Sequence, residues 1–377
     1  MLVKENVLVA EKQTTAPYFV HLDSLRVFFV SIVLLHHWLS ATPFKFLPFG
    51  STIAFVLSSF LLTNVLLKEK FQSDSYWSKT KRFLIRRFLR TLPIYLLLIF
   101  GYLVFRTEMM KPYILYYLTF TQNYPISDAL DPTSGIPSLT HTWSLAVQEQ
   151  FYIFLPITVF AIPRKYFVSF WVILSLAGLV IRFYYYFGGF PLEYNHFRTE
   201  CCLDCFGVGV LISYLNFFDP ERLKRILLNK TLLITILVLY VLSLTGYMNA
   251  PEAAATADLS GGYNSMYRTT ERTFVSILSI WFITWGIYFP SAWLTRISRN
   301  AIIHYLSKIS YGIYVFHMLG SIFVEKLFVQ VFGPQINIYS APVIVVKFLV
   351  CIAIASISFY LIEKPIMSFR SKFKTPN

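Results

Sequence analysis

The sequence predicts an all-α polytopic membrane protein of about ten transmembrane helices, with both termini in the cytoplasm. Three observations predict it. The chain is 56% hydrophobic and only 14% charged. Apolar segments long enough to cross a hydrocarbon core recur along its whole length. Its basic residues also alternate from loop to loop in the way that orients membrane proteins.

In chain order, the apolar segments place spans at roughly 24–43, 50–68, 89–105, 143–162, 167–187, 200–216, 230–248, 273–291, 309–331 and 342–362. Residues 1–20 form a cytoplasmic tail, 21–366 a membrane domain and 367–377 a second cytoplasmic tail. The first tail holds Lys4, Glu5, Glu11 and Lys12 without a long apolar core, so it does not read as a signal peptide. The apolar run 113–122 would invert the alternation if it crossed, and is expected to be a re-entrant or interfacial piece on the outer side. Internal repeats and low complexity are absent from the sequence.

A net charge of +14 invites a nucleic-acid reading. Its distribution argues against one. With the N-terminus cytoplasmic, most of the 33 lysines and arginines fall on that side, and the outer loops hold only Lys45, Arg106, Lys111, Arg198, Arg268 and Arg272. That is the positive-inside pattern.

The first span, LDSLRVFFVSIVLLHHWL, carries Asp23, Arg26, His36 and His37. Ionisable groups within a span are costly and mark a functional site by default. At about 100° per residue, Arg26 and His37 lie about 20° apart, Asp23 about 40° from His37, and His36 about 80° from Arg26. One wall of the helix thus carries a charge pair at one end and an imidazole roughly 16 Å deeper.

Between spans two and three the chain reads KTKRFLIRRFLR, followed by Pro93. Arg82, Arg86 and Arg90 recur at four-residue intervals, and Arg87 lies one turn from Arg90. An interfacial helix drawn to anionic headgroups explains this run. A phosphate site explains it as well, because guanidinium forks match phosphate oxygens. Its place at the cytoplasmic mouth, beside the charged end of span one, favours phosphate. At the other side of the membrane, HTWSLAVQEQFYIFLP puts His141, Trp143, Gln148, Glu149 and Gln150 at or just inside the outer end of span four. A carboxylate at that depth needs a partner, water or a proton. His317, alone in span nine, reads as a hydrogen-bonded packing residue. Cys201, Cys202, Cys205 and Cys351 read as small buried thiols, since the C-L-D-C spacing lacks a second half to hold a metal.

Taken together these segments resemble the acyltransferase-3 family of integral membrane acyltransferases, from about residue 20 to residue 366. LDSLR with its histidine pair, FVLSSFLLT, RRFLRTLPIY, HTWSLAVQEQFYIFLP, DCFGVGVLISYL, SYGIYVFH and LIEKP occur in the family's order. Two positions depart from its pattern. Ser59 stands where glycine is usual, and the acidic position after WSL holds Gln148, with Glu149 next in the chain and about 100° away. No appended hydrolase-like domain of the kind some members carry is expected after the last span.

The resemblance implies roles. His37 matches the catalytic histidine, with His36 beside it and Glu149 as the displaced acid. Arg26, Arg87 and Arg90 match donor-side arginines. Asp23 is the partner of Arg26 at the donor mouth, and Trp143 lies toward the substrate. The implied donor is acyl-coenzyme A, commonly acetyl, taken from the cytoplasm, with no bound cofactor or metal. The implied acceptor is a hydroxyl on a cell-surface or lipid-linked carbohydrate, lipopolysaccharide included, in a bacterial inner membrane. His37 would act as general base or, alternatively, carry the acyl group. A multi-pass transporter built on the same charges is the competing class, and an acyltransferase for a small molecule or a lipid headgroup is a variant of the first. Loops 123–142 and 249–271, the latter with Gly261 and Gly262, are the expected acceptor surface.

Overall fold

The apolar segments form long helices, and a computed structural model describes them over residues 20–39, 49–128, 136–248 and 266–373. Among these residues the chain is all-helical. Ten helices carry the architecture: α1 (Val20–Trp38), α2 (Phe49–Lys70), α3 (Tyr76–Phe105), α4 (Trp143–Ala161), α5 (Arg164–Phe187), α6 (Leu203–Phe218), α7 (Lys230–Met248), α8 (Met266–Tyr288), α9 (Ala301–Phe332) and α10 (Ala341–Ser358). Each expected span falls on one of them. The tails at 1–19 and 374–377, Lys45, and the loop segments 129–135 and 249–265 with Gly261 and Gly262 lie outside the described residues.

Seven of the described helices are long and apolar enough to cross a membrane by themselves. The other three explain the difference from ten. α1 carries Asp23, Arg26 and three histidines, and α8 carries Arg268, Glu271 and Arg272. α7 qualifies only together with the helix Pro220–Leu228 before it, across a 61° bend. The polar residues that keep α1 and α8 below the limit are those that build the site.

One expectation about the connections changes. The basic run 79–90 is not a separate cytoplasmic link, because α3 runs without a break from Tyr76 through Pro93 to Phe105. Nothing before Pro93 interrupts helix formation, and the ring is accommodated inside the helix. Thirty residues at 1.5 Å each make about 45 Å, well beyond a hydrocarbon core of about 30 Å. Arg87 and Arg90 therefore sit in the middle of a long helix. The run 113–122 forms only the short helices Lys111–Tyr113 and Ile114–Leu118 and a turn, pinned by Tyr95 Oη to Tyr117 O (2.8 Å) and Gln150 Nε2 to Phe120 O (2.6 Å).

Burial divides the bundle. α2, the stretch Ser138–Ala161 and α6 are 67%, 67% and 61% buried along their most apolar windows, against 28%, 22%, 33% and 28% for α3, α5, α9 and the segment beginning with α10. The first three form the centre, and the others turn a broad apolar face outward. α2 and α6 approach so closely that a Cβ on Gly209 would lie 2.0 Å from Ser59 Oγ and 2.3 Å from Val56 O. Small residues allow such contact between apolar helices. Ser59 is itself fully buried and donates to Val56 O (3.0 Å), so the hydroxyl at this position is satisfied within its own helix.

Two buried arginines tie the bundle together. Arg182 of α5 makes a two-pronged pair with Asp204 of α6 (2.7 and 2.9 Å) and donates to Thr269 O of α8 (2.8 Å), Cys201 O and Thr273 Oγ1. Arg272 donates to the carbonyls of His196 (3.0 Å), Asn195 (3.2 Å) and Cys201 (3.3 Å), and contacts Cys202 Sγ (3.1 Å). A buried charge with all its donors used is tolerated where an unpaired one is not. All four cysteines are buried free thiols, as expected.

Candidate active site

α1 packs against α9 and α2, and its wall of polar residues faces into the bundle. Near the start of α1, Asp23 is buried and accepts from Arg26 Nη1 at 3.0 Å, one helical turn away, as its spacing predicts. His304 Nδ1 of α9 lies 3.4 Å from the other carboxylate oxygen, and Ser24 donates to Ser298 Oγ at 2.8 Å. This end of α1 is thereby fixed to the entry of α9. His304 has no sequence signal that would pair it with Asp23.

Above it along α1, four rings gather. His37 and His317 have ring centres 5.1 Å apart, His317 and His141 4.7 Å, and His36 and His37 5.6 Å. His196, on the short helix Leu192–Phe197, lies within electrostatic reach of His36 and His37 and meets the Trp143 ring at 5.0 Å, tilted by 54°. Five of the seven histidines in the chain thus surround one region. His37 is exposed, while Leu34 and Trp38 on the same helix are buried, so its ring faces open space within a packed wall. Burial above all, then Arg272 and Arg268, hold the His196 imidazole well below the usual histidine range, which keeps it neutral. Trp143 is buried, lies against Phe55 and Phe197, and is approached by Arg272 at 5.8 Å. Among the described residues no group of histidines, cysteines and carboxylates has the geometry of a metal site.

The packing expectation for His317 is half of what the structure contains. Its Nδ1 is 2.6 Å from Tyr314 O, a hydrogen bond within α9. Its Nε2 is buried and makes no hydrogen bond. Tyr314 Oη in turn donates to His141 O (2.8 Å) and meets Ser144 Oγ (2.6 Å), while His141 Nε2 donates to Val315 O (3.2 Å). These bonds lock α9 to the start of α4.

On α3 the arginines divide into two pairs. Arg82 bonds Asp74 (2.6 Å), and Arg86 bonds Glu69 and Phe373 O (2.9 Å). Neither Arg87 nor Arg90 makes a side-chain hydrogen bond or ion pair among the described residues; Arg87 lies over the Tyr152 ring at 4.2 Å. Arg87, Arg26 and Arg370 all repel Arg90 at close range, and Glu363 also lies near Arg90. Arg370, from the turn Phe369–Phe373 that packs on α3, joins the group without any signal in the local sequence. Glu149 is buried and faces Arg87 and Thr91. No contact joins it to the histidines. Its neighbours differ in role: Gln150 is tied to Phe120, Asn123 and Thr199, and Gln148 is half-buried.

A bundle of many apolar helices with a histidine group inside it and unpaired arginines on α3 defines an integral membrane protein with a built internal site. The acyltransferase domain family matches residues 19–362. The chain belongs to this acyltransferase-3 family of enzymes. "Putative O-acetyltransferase SACOL0978" of Staphylococcus aureus (strain COL) is 30% identical over 376 residues, which cover 92% of this chain and 57% of that protein. "O-acetyltransferase OatA" of Staphylococcus aureus (strain NCTC 8325 / PS 47) is 25% identical over 383 residues, covering 94% of this chain and 58% of that one. The chain therefore spans less than two thirds of the length of these relatives. No solved structure matches it.

Proposed function

We propose that this protein is an O-acyltransferase of a bacterial inner membrane, with ten spans and both termini cytoplasmic. It moves an acyl group, acetyl in the first instance, from cytoplasmic acyl-coenzyme A to a hydroxyl of a cell-surface or lipid-linked carbohydrate. One observation carries the reading: unpaired Arg87 and Arg90 lie within electrostatic reach of Arg26, and Arg26 shares α1 with an exposed His37 of the histidine group roughly 16 Å away.

The chemistry follows from that layout. The pyrophosphate and 3′-phosphate of coenzyme A are bound by Arg87, Arg90 and Arg370, with Arg26, paired to Asp23, beside them. The thin pantetheine arm runs beside α1, and the thioester reaches His37. His37 removes the proton from the acceptor hydroxyl as its oxygen attacks the thioester carbonyl. The tetrahedral intermediate collapses by breaking the C–S bond, and the leaving thiolate takes the proton from His37. General-base help of this kind contributes about 10²–10⁴-fold. Glu149 serves the donor side by facing Arg87, which it orients, and Trp143 with His36 borders the acceptor side.

The test is turnover of acetyl-coenzyme A by the protein in nanodiscs, supplied with a carbohydrate acceptor. His37→Ala should lose transfer while still binding donor, and His36→Ala should keep most of it. Transfer retained by His37→Ala and lost by His36→Ala would contradict the assignment of the base.

A further inference from the structure

Glu363, in the LIEKP segment, has no task in the reaction above. It ends the π-helical turn Phe359–Glu363, which lies between α10 and the short helix Lys364–Ser368. Single π-turns set into α-helices recur at functional sites. The Glu363 side chain is buried, and its Oε1 has no hydrogen-bond partner. The turn packs against α3, where Arg90 is the charged group within reach of the carboxylate. Toward α9 it meets Gly312, where a Cβ would stand 3.5 Å from Oε1, and Tyr311 lies within electrostatic reach. Glycine has no side chain to donate from. Lys364, next in the chain, lies over the Tyr360 ring at 5.4 Å. Neither Glu363 nor Arg90 takes part in an ion pair among the described residues. A buried acceptor and a guanidinium thus come near one another without touching, and a group that reaches both would satisfy both.

We infer that Glu363 is a donor-binding residue: with Arg90 it holds a phosphate group of the donor, one proton being shared between its carboxylate and a phosphate oxygen. An ionised carboxylate and a phosphate oxygen are both acceptors and both anionic, so they meet at hydrogen-bond distance only when one of them carries a proton. With the proton in place an O–H···O bond joins acid to phosphate, and Arg90 donates to the same phosphate. Without donor, the carboxylate is the counter-charge of Arg90, around which Arg87, Arg26 and Arg370 gather. The other carboxylates near these arginines keep partners of their own, since Glu149 faces Arg87 and Asp23 is bonded to Arg26. Donor binding therefore takes up about one proton from solvent. The complex holds more protons than its separated parts, so raising the pH favours release and donor affinity falls.

The inference rests on the donor reading, and the experiment keeps the two apart. Binding of acetyl-coenzyme A to the full chain in nanodiscs is measured calorimetrically in buffers of different ionisation enthalpy, which counts the protons taken up. Wild type should take up about one proton and lose about tenfold in affinity for each pH unit above neutrality. Glu363→Gln keeps the shape and offers an N–H to the phosphate with no proton from solvent. Its uptake should fall by more than half, and its affinity at about pH 8 should exceed that of wild type by about tenfold. The 3′-phosphate, which titrates by itself, is common to both proteins, so the difference between them belongs to Glu363. Acetyl-pantetheine, which lacks the phosphates, should bind wild type without proton uptake, a check that needs no variant. No uptake by wild type, equal uptake with acetyl-pantetheine, or undiminished uptake by Glu363→Gln would each overturn the role of Glu363 alone. Binding of acetyl-coenzyme A left intact in Arg87→Ala/Arg90→Ala would overturn the donor site and this inference together.

Discussion

Arg182 and Arg87 are both guanidinium groups carried on apolar helices, and the protein treats them in opposite ways. Arg182 is paired twice with Asp204 and bonded to three further oxygens. Its donors are used, and its work is to hold α5, α6 and α8 together. Arg87 has an aromatic ring beneath it, a carboxylate within electrostatic reach, other arginines nearby, and no hydrogen bond from its side chain. Like charges gathered around Arg90 cost stability in the free protein. Such a group is retained where an anionic ligand repays the cost. Satisfaction of donors, rather than charge or depth, distinguishes an arginine that builds the fold from one that binds.

The comparison is broken most severely at Arg182. Arg182→Ala leaves the Asp204 carboxylate buried and unpaired, and should cost about 3–5 kcal/mol. A thermal unfolding scan in detergent should show the loss directly, and the double change Arg182→Met with Asp204→Leu should recover a large part of it. At the other centre, Arg87→Ala combined with Arg90→Ala should leave the unfolding midpoint near that of wild type or above it. Donor affinity should fall instead, since each charge-assisted hydrogen bond is worth about 1.5–3 kcal/mol; calorimetric titration with acetyl-coenzyme A reads this.

Gly209→Ala adds a methyl group where Val56 O and Ser59 Oγ leave no room. Overpacking of this sort should cost about 1–3 kcal/mol, in stability and not in donor binding. The smallest effect belongs to Arg82→Ala. Arg82 is already paired with Asp74 near the surface, so stability should change by about 1 kcal/mol or less, and donor affinity should remain that of wild type within about twofold. A large loss of donor affinity in Arg82→Ala would erase the distinction between spent and available arginines on α3.

The sequence made much of this legible because membrane spans are written locally. Ten apolar runs became ten long helices, and the Asp23–Arg26 pair followed from one helical turn. Helical phase also brought Arg26 and His37 to one wall of α1. What stayed hidden depends on contacts between distant segments. His141, His196 and His317 come from three separate elements, and no periodicity connects them to His37. His317 in particular offers a local hydrogen bond that satisfies a packing reading, while the rings it meets, His37 and His141, come from distant segments. The sorting of arginines on α3 was equally hidden. Arg82, Arg86 and Arg90 share a spacing, yet Asp74 and Glu69 engage the first two and leave the third. Arg370 enters from the far end of the described chain. Glu149 shows the same limit, since its phase on α4 is readable but the identity of the facing helix is not.

The central claim is that Arg87 and Arg90 are held available for the phosphates of the donor. It is tested most directly by comparing the binding of acetyl-coenzyme A with that of acetyl-pantetheine, which lacks those phosphates, to wild type and to the Arg87→Ala/Arg90→Ala variant. The account predicts that wild type prefers acetyl-coenzyme A by at least about tenfold, and that the preference collapses in the variant while acetyl-pantetheine binds both equally. A variant that keeps the full preference would contradict it.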